Sequence, residues 1–552
     1  MSPGLNTAAR EPMRQAQRRL GELIFRMPAY HRLLARAPAL QPVTRPEDPW
    51  FGRRETADEI FRGIYDLAGE RETRPNMPPW QTDRSPAWHA SLHGFDWLRH
   101  FAAADGHAAR IHAQALIQSW LDQTDPSLAV AWRADVVGRR LINWVFQLRW
   151  LLVDASDDFR DSLLRALVAQ ARHLNRSVGL APPGEPRLAA VVGLIASGIA
   201  LPDGGARLDR GLRVLKREMA DQFPPDGVHI SRNPSQHHRA LRDLVTARQC
   251  LLAGQVPIPM ELQNTIDRAA PILRFFRHSD GVLALFNGGN AGDRDALDLT
   301  LARADAPGRA PASAPHGGFE RIEREATILL VDTGPSRSTS YPRGHAGLLS
   351  LEVSAGGEQL FVNCGAAGPG DQEWARATAA TAAHSTITLG DQNAIALYAD
   401  NRLRRRPSVR AEHQKDRAGQ VWLQTEHDGY LSRFGITHRR RLFVSDTGEA
   451  VHGEDVLQRQ SGRRAAPTYA TRFHLHPAVK ASLVQGGAGA LLQTASGIGW
   501  RFRIDGGTVT LEESIYLGDP KVQRRCSQIV VTGQCSERST RLRWSLSRMS
   551  VS

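Results

Sequence analysis

The chain has 552 residues, of which 41% are hydrophobic and 23% are charged, and its formal net charge is +13. This length and apolar content exclude a disordered chain and predict two to four domains of about 100–200 residues each. The basic charge favours an anionic partner. However, the 70 basic residues include only four lysines and are scattered along the chain, so no nucleic-acid-binding module is indicated.

The sequence shows no sign of a membrane-spanning segment, because no apolar run reaches the length of about 18 residues that a span requires. The N-terminus lacks the basic-then-apolar layout of a secretory signal, which predicts a cytoplasmic location. The four cysteines are too few and too scattered for a disulfide framework or a paired-cysteine metal site.

Residues 1–45 are predicted to form an N-terminal tail or helix, and residues 46–302 an all-helical domain. Apolar side chains in this domain recur at helical spacing, and short runs of Gly, Pro and Asp separate the segments. Antiparallel helices of this length form a bundle, a solenoid or a closed toroid. The predicted helices cover residues 100–120, 134–152, 157–177, 187–199, 208–222, 235–253 and 259–277.

The hydrophobic period changes to two after a predicted linker at residues 303–317. Residues 318–552 contain many short strand-like segments separated by turns, which is typical of an antiparallel β-sandwich. The predicted fold class is therefore a helical domain followed by an all-β domain. The strand-like segments lie at residues 326–332, 348–354, 359–363, 384–389, 420–426, 442–445, 499–504, 508–513 and 527–532.

The densest polar segment, residues 226–239, runs from a turn into a predicted helix, and Asn233 is placed to cap that helix. Free N–H groups at a helix N-terminus favour an anion such as a uronate carboxylate. The candidates for binding or titration here are His229, Arg232 and His237. The alternative is a surface loop with solvated histidines.

Further polar clusters occur among the predicted strands, where lone histidines are often structural. These clusters contain Tyr341, Arg343 and His345, then Asn363 and His384, and then His427 and Tyr430. In the helical half, His93 and Trp97 lie near a predicted helix start, where aromatic faces can line a sugar-binding groove. Ordinary packing between helices is the alternative for that pair.

Taken in order, these segments resemble the heparinase II/III-like polysaccharide lyases. The likeness runs through residues 92–98 (Leu-His-Gly-Phe-Asp-Trp-Leu), 226–237, 345–352, 383–386 (Ala-His-Ser-Thr) and 427–430 (His-Asp-Gly-Tyr). The family implies an incomplete (α/α) toroid followed by a β-sandwich, and cleavage of uronic-acid polysaccharides by β-elimination. That reaction needs a neutralised carboxylate, a base for the C5 proton and an acid for the leaving oxygen.

The sequence departs from the family pattern at its catalytic positions. Gln236 stands where the family's Ser-Pro-x-Tyr-His turn has its tyrosine, and the amide of glutamine cannot transfer a proton. The family's Asn-His pair is missing near residues 184–186. In the His-x-His-x-Asp segment of the sandwich, Arg343 replaces the first histidine and Gly347 replaces the aspartate, while His345 remains.

The sandwich of this family can also hold a structural zinc through a His, Asp and His set. The matching positions here are His345, Asn363 and His384, so the resemblance implies a zinc site with an uncharged middle ligand. The reaction is expected to require no cofactor.

Three functions follow from these observations. The first is a lyase acting on an anionic polysaccharide, with no nucleic-acid or membrane partner; the second is an inactive binder of acidic glycans, and the third a scaffold in an envelope-polysaccharide system. In the lyase, Arg232 or Arg343 is expected to neutralise the uronate carboxylate, and His237 or His229 to act as the base. The expected acid is Tyr341 or Tyr430. Further contacts with the substrate are expected from Trp97, His93, Asn233 and His427. Because members of this family are often exported, the periplasm is the alternative location.

Overall fold

The computed structural model describes residues 21, 23–25, 27–75, 77–123, 129–334, 344–367, 372–415, 420–460, 465–484, 486–519 and 521–549. The described residues fall into two compact units. The helical unit contains the described residues up to Asp221 together with Ala240–Ile266. The sheet unit contains Gln222–Arg239 together with the described residues from Asp267 onwards. No helix in the described residues combines the length and the hydrophobicity needed to cross a bilayer.

The helical unit consists of α-helices and one short β-hairpin, β1 and β2. Its helices are Pro28–Ala35, Arg54–Phe61, Pro86–Gly94, Leu98–Ala104, Gly106–Gln123, Ala134–Leu151, Asp157–Ser177, Glu185–Ala200 and Gly205–Gln222, and the hairpin strands are Ile64–Leu67 and Glu70–Thr73. Two further helices, Pro234–Ala253 and Met260–Phe275, contribute residues to both units.

The helical N-terminal half is confirmed, although the segment at residues 100–120 differs from the prediction. That segment contains two helices, because the chain leaves the helical conformation at Asp105 (φ 54°) and Gly106 (φ 83°). An Asp-Gly pair tolerates such left-handed angles and interrupts a helix. The boundaries of the helix Asp157–Ser177 match the prediction, since the Ser156 side chain caps it by accepting a hydrogen bond from the Phe159 N–H. The toroid stays a prediction.

Two glycines let the helices Ala134–Leu151 and Glu185–Ala200 approach closely. A Cβ atom built on Gly193 would lie 2.4 Å from the Gly138 Cα atom, and one on Gly138 would lie 2.6 Å from the Ala189 carbonyl oxygen. Both obstacles are backbone atoms, which cannot rotate away as a side chain can. Packing of these two helices therefore requires glycine at both positions.

We expect Gly193→Ala to destabilise the protein by about 1–3 kcal/mol, the usual cost of overpacking a dense core. This loss should exceed the small gain in helix propensity that alanine brings. The midpoint of urea unfolding measures the effect, with Gly179→Ala as the matched control, because a Cβ at Gly179 meets nothing within 4 Å. Equal midpoints for the two variants would contradict the close approach.

The sheet unit contains two β-sheets and a few helical segments. Its strands are β3 Ser313–Ala314, β4 Phe319–Arg324, β5 Thr327–Asp332, β6 Leu351–Ala355, β7 Glu358–Val362, β8 Ile387–Leu389, β9 Val409–Lys415, β10 Val421–His427, β11 Ile436–Val444, β12 Ala450–Arg459, β13 Thr468–Leu475, β14 Lys480–Leu483, β15 Gly489–Gln493, β16 Gly499–Asp505, β17 Thr508–Asp519, β18 Val522–Gln534 and β19 Ser539–Arg548. Its other helices are Arg294–Ala304, Gln372–Ala379 and the single turn Leu431–Phe434.

These strands form two antiparallel sheets. One sheet has the order β14-β15-β16-β19-β12-β11-β10-β9, and the other has the order β17-β18-β13-β7-β6-β5-β4-β3, with β8 paired to β13. One hydrophobic cluster draws side chains from both, for example Leu329 and Phe361 from one sheet and Phe502 and Leu546 from the other. The predicted antiparallel sandwich is thereby confirmed.

Candidate functional site

The polar turn before the helix Pro234–Ala253 is built around the helix cap. The Asn233 Oδ1 atom accepts a hydrogen bond from the Gln236 N–H (2.9 Å), and the Asn233 Nδ2 atom donates to the Asn287 carbonyl oxygen (3.0 Å). The predicted cap is therefore present. Because both ends of the Asn233 amide are engaged and the residue is buried, its side chain tethers the turn. Its proposed contact with substrate stays a prediction.

His229 and His237 lie in the interior of this turn. The His237 Nδ1 atom accepts from the His229 N–H (3.3 Å), and its Nε2 atom contacts the Ala269 carbonyl oxygen (2.9 Å). The His229 ring bonds Ser231 and Gln222. Burial lowers the pKa of His229 to about 3 and that of His237 to about 4. Both rings are neutral at pH 7 and engaged at both nitrogens.

Arg232 is buried with its guanidinium directed at protein acceptors. It forms an ion pair with Asp332 and donates to the carbonyl oxygens of Gly317 and Gly318. Burial raises the pKa of Asp332, although Arg232 opposes that shift. The Asn287 Nδ2 atom donates to the same carboxylate (3.1 Å). The positive charge of Arg232 is thus already matched within the protein.

His345 and His384 form a directed pair. The His384 Nδ1 atom faces the Ala380 carbonyl oxygen (2.8 Å) and must carry a proton, so its Nε2 atom is an acceptor. The His345 Nδ1 atom lies 3.3 Å from that acceptor and is therefore its donor. This order leaves the lone pair of His345 on Nε2. The residue is partly exposed, and a Cβ atom at Gly288 would lie 3.1 Å from Nε2.

Burial and the neighbouring His384 lower the pKa of His345 to about 3, so the ring is neutral at pH 7. Burial likewise lowers the pKa of His384 to about 4. A neutral imidazole with an accessible lone pair is the protonation state that a general base requires.

The implied zinc set does not fit a three-ligand centre. His345 and His384 offer two nitrogens, but the Asn363 Nδ2 atom donates to Glu352 (2.7 Å) and its Oδ1 atom accepts from the Ser385 N–H (3.0 Å). Among the described residues, no group of three His, Cys, Asp or Glu side chains could hold a metal ion. No step of the chemistry is therefore assigned to a metal.

Tyr430 and His427 lie inside the sandwich. The Tyr430 hydroxyl donates to the Ile387 carbonyl oxygen (2.7 Å), and burial raises the pKa of this phenol. The His427 Nδ1 atom accepts from the Gly429 N–H, and its Nε2 atom faces His438 (3.2 Å). Both residues are buried, which favours structural roles; their functional roles stay predictions.

In the helical unit, His93 and Trp97 occupy the packed interior. The Trp97 indole donates to the Leu92 carbonyl oxygen (3.0 Å), and the Trp120 indole donates to His93 Nδ1 (3.0 Å). Burial lowers the pKa of His93 to about 3. The arrangement matches the packing alternative, and the ring faces meet other protein rings, such as that of Trp80.

Two predicted residues, Tyr341 and Arg343, lie outside the described residues. Gln236 is partly exposed in the first turn of its helix. Several polar groups nearby, buried or partly buried, were not predicted, because a single polar residue without a surrounding motif carries no signal in the sequence. These groups are Asp332, Asn287, His278 and Glu352, of which the last two hydrogen-bond each other (2.8 Å).

Comparison with known proteins places this geometry in a family. Residues 76–304 match the Heparinase II/III N-terminus model, and residues 306–545 match the Heparinase II/III-like C-terminal model. The chain belongs to the heparinase II/III-like family. A relative from Caulobacter vibrioides, FtsZ-localized protein C, is 30% identical over 527 residues, which cover 91% of this chain and 89% of the relative.

Solved structures of this family share the fold. Heparinase III superimposes with a TM-score of 0.73 at 16% identity, covering 92% of this chain and 86% of that protein. Heparan sulfate lyase HepC from Pedobacter heparinus has a TM-score of 0.59 at 16% identity, covering 90% of this chain and 82% of that protein. The order of helical and sheet regions is therefore common to this chain and these lyases.

Proposed function

We propose that this heparinase II/III-like protein is a lyase that cleaves an acidic, uronate-containing polysaccharide by β-elimination, with His345 as the base. Family membership supports the class of reaction. The single observation that favours His345 is the chain of hydrogen bonds from His345 through His384 to the Ala380 carbonyl, which leaves a lone pair on the Nε2 atom of a partly exposed residue. His237 is less suited, since both of its ring nitrogens are engaged in the interior.

In this proposal the His345 Nε2 atom removes the C5 proton of the uronate. The electron pair forms the C4–C5 double bond, and the glycosidic C4–O bond breaks. The leaving oxygen takes up a proton, for which Tyr341 is the proposed donor, and the proposed partner of the uronate carboxylate is Arg343. His384 acts as a positioning residue because it accepts a hydrogen bond from the Nδ1–H of His345, which fixes the neutral tautomer and stabilises the imidazolium that forms.

We expect His345→Ala to lower kcat/KM by about 100-fold or more, the usual contribution of a general base. The assay follows the ultraviolet absorbance of the unsaturated uronate, screened over heparan sulfate, alginate, hyaluronan and a bacterial exopolysaccharide. Added imidazole should restore part of the rate, which a purely structural role would not allow. His316→Gln is the matched control, because this histidine is exposed in the same unit. Full activity in the His345 variant would remove it from the mechanism.

A second candidate function is a non-catalytic association with FtsZ. Two observations favour it: the 30% identical relative carries the name FtsZ-localized protein C, and Gln236 replaces the family's tyrosine. In this alternative the lyase fold serves as an interaction scaffold.

Two assays on the same purified chain separate the alternatives. Co-sedimentation with FtsZ polymers tests the scaffold, and growth of ultraviolet absorbance tests the lyase. Absorbance growth that depends on His345 supports catalysis. Co-sedimentation without any absorbance growth on the four polysaccharides overturns the lyase proposal and supports the scaffold.

A further inference from the structure

Strands β16, β19, β12 and β11 of the eight-stranded sheet form a strongly basic outer face. Along β16, alternate residues Trp500, Phe502 and Ile504 enter the core, so the residues between them face outwards. The same alternation holds on the neighbouring strands β19, β12 and β11. The outward arginines of these four strands are Arg439, Arg441, Arg501, Arg503, Arg541 and Arg543, and the outward carboxylates are Glu454 and Asp505. The face thus has a clear surplus of positive charge.

A concave pocket of about 620 Å³ opens on this face. Its lining combines Arg501, Arg503, Arg543 and one carboxylate, Asp505, with apolar side chains that include Val484 and Leu491 from the β14–β15 hairpin. The volume lies within the range of roughly 300–1,000 Å³ that is usual for ligand sites. None of the residues that line the pocket belongs to the candidate site described above.

The two carboxylates of this face, Glu454 and Asp505, do not neutralise its six arginines, although Asp505 itself lines the pocket. Glu454 is shared by three guanidinium groups, those of Arg441 (3.9 Å), Arg541 (3.7 Å) and Arg543 (3.2 Å). Arg501 and Arg503 are exposed and form no ion pair or side-chain hydrogen bond with any other described residue. Two guanidinium forks are therefore available to an external anion.

We propose that this pocket, which we call the outer-face pocket, is a second binding site that holds a segment of an acidic polysaccharide away from the reacting residues. Carboxylate and sulfate groups match the planar fork of arginine, and the apolar lining can contact the C–H faces of sugar rings. The inference rests on the proposed function only for the substrate class; it does not require that the chain be catalytically active.

The lining favours a polysaccharide over the other large polyanions. Single-stranded nucleic acid is usually held by stacking on accessible aromatic rings, whereas the indole of Trp544, which lines the pocket, is 3% exposed. A membrane surface is usually held by an amphipathic helix with an exposed apolar side, whereas this face consists of strands.

The test compares two double variants of the full chain that remove equal charge. Arg501→Ser with Arg503→Ser alters the outer-face pocket, and Arg524→Ser with Arg525→Ser alters two exposed arginines of β18 on the other sheet. Affinity for heparan sulfate and alginate fragments is measured by calorimetry at low salt. The pocket variant should bind at least 10-fold more weakly than the wild type, and the control should stay within threefold. Salt should weaken wild-type binding, because exposed charges are screened.

The outcomes also separate this inference from the proposed function. A pocket-dependent loss of affinity in a chain that generates no unsaturated product supports the pocket and contradicts the lyase. The proposal of a second binding site would be overturned if the two double variants had equal affinities, or if the wild type bound neither polysaccharide. If single-stranded DNA or phosphatidylglycerol vesicles bound more tightly than the polysaccharides, and the pocket variant lost that binding, the polysaccharide proposal would be wrong and that partner would be the ligand of the pocket. His345→Ala should leave the affinity of the pocket unchanged.

Discussion

Acidification from pH 7.0 to pH 5.5 is expected to lower the free energy of unfolding of the sheet unit by roughly 4–5 kcal/mol. Four histidines that are buried in the neutral state account for this loss, and His345, whose pKa burial also lowers to about 3, adds to it. Burial lowers the pKa to about 3 for His229 and His474, and to about 4 for His237 and His384. Since domains are stable by only about 5–15 kcal/mol, this loss is large.

The sign follows from the two states of each histidine. In the unfolded chain the ring has a pKa of about 6.5 and takes up a proton as the pH falls below that value. In the folded unit it stays neutral until about pH 3 or 4. The stabilisation is therefore complete above pH 6.5 and declines as the pH falls below it, by about 1 kcal/mol for each histidine at pH 5.5. Asp332, whose pKa burial raises, opposes the trend.

Urea unfolding at the two pH values, followed by tryptophan fluorescence, measures this effect. His474→Gln should reduce the difference between the two pH values by about 1 kcal/mol, because one titrating group is removed. A free energy of unfolding that does not change between pH 7.0 and 5.5 would show that the histidines are not held neutral.

Sequence periodicity predicted the fold because each element repeats its signal along many residues. The helix Ala134–Leu151 and the strand Gly499–Asp505 both show it clearly, with apolar residues on one face. The Arg294–Ala304 helix was missed, since its residues give only a weak apolar stripe. Strands such as Ala450–Arg459 were missed because Gly453 and Asp455 occupy inward positions.

The candidate site was less predictable, because burial decides what a polar residue can do. The segment His438–Arg441 looks like one charged run in the sequence. In strand β11 its residues alternate, so that His438 and Arg440 enter the core while Arg439 and Arg441 face outwards. Nothing in the sequence identifies the buried partner, Asp455, because it lies on the next strand.

We expect Asp455→Ala to destabilise the sheet unit by about 3–5 kcal/mol, the usual result of leaving a buried charge without its partner. Its Oδ1 atom accepts from Arg440 Nε (2.7 Å) and His438 Nε2 (2.8 Å), and its Oδ2 atom accepts from Arg440 (3.1 Å) and from the Trp544 indole (3.1 Å). These donors hold the pKa of Asp455 well below its usual range, with the charge of Arg440 as the largest favourable cause.

The double variant Asp455→Leu with Arg440→Met separates the loss of charge pairing from the loss of volume. Arg440 also donates to the carbonyl oxygens of Leu349 and Ser385, so the double variant gives up those hydrogen bonds. It should nevertheless be more stable than Asp455→Ala, because apolar replacement of a whole buried ion pair is often close to neutral, whereas an unpaired buried guanidinium is not. Urea unfolding at pH 7.0 measures both variants. A double variant that is less stable than Asp455→Ala would mean that the hydrogen bonds of Arg440, rather than its charge, dominate this cluster.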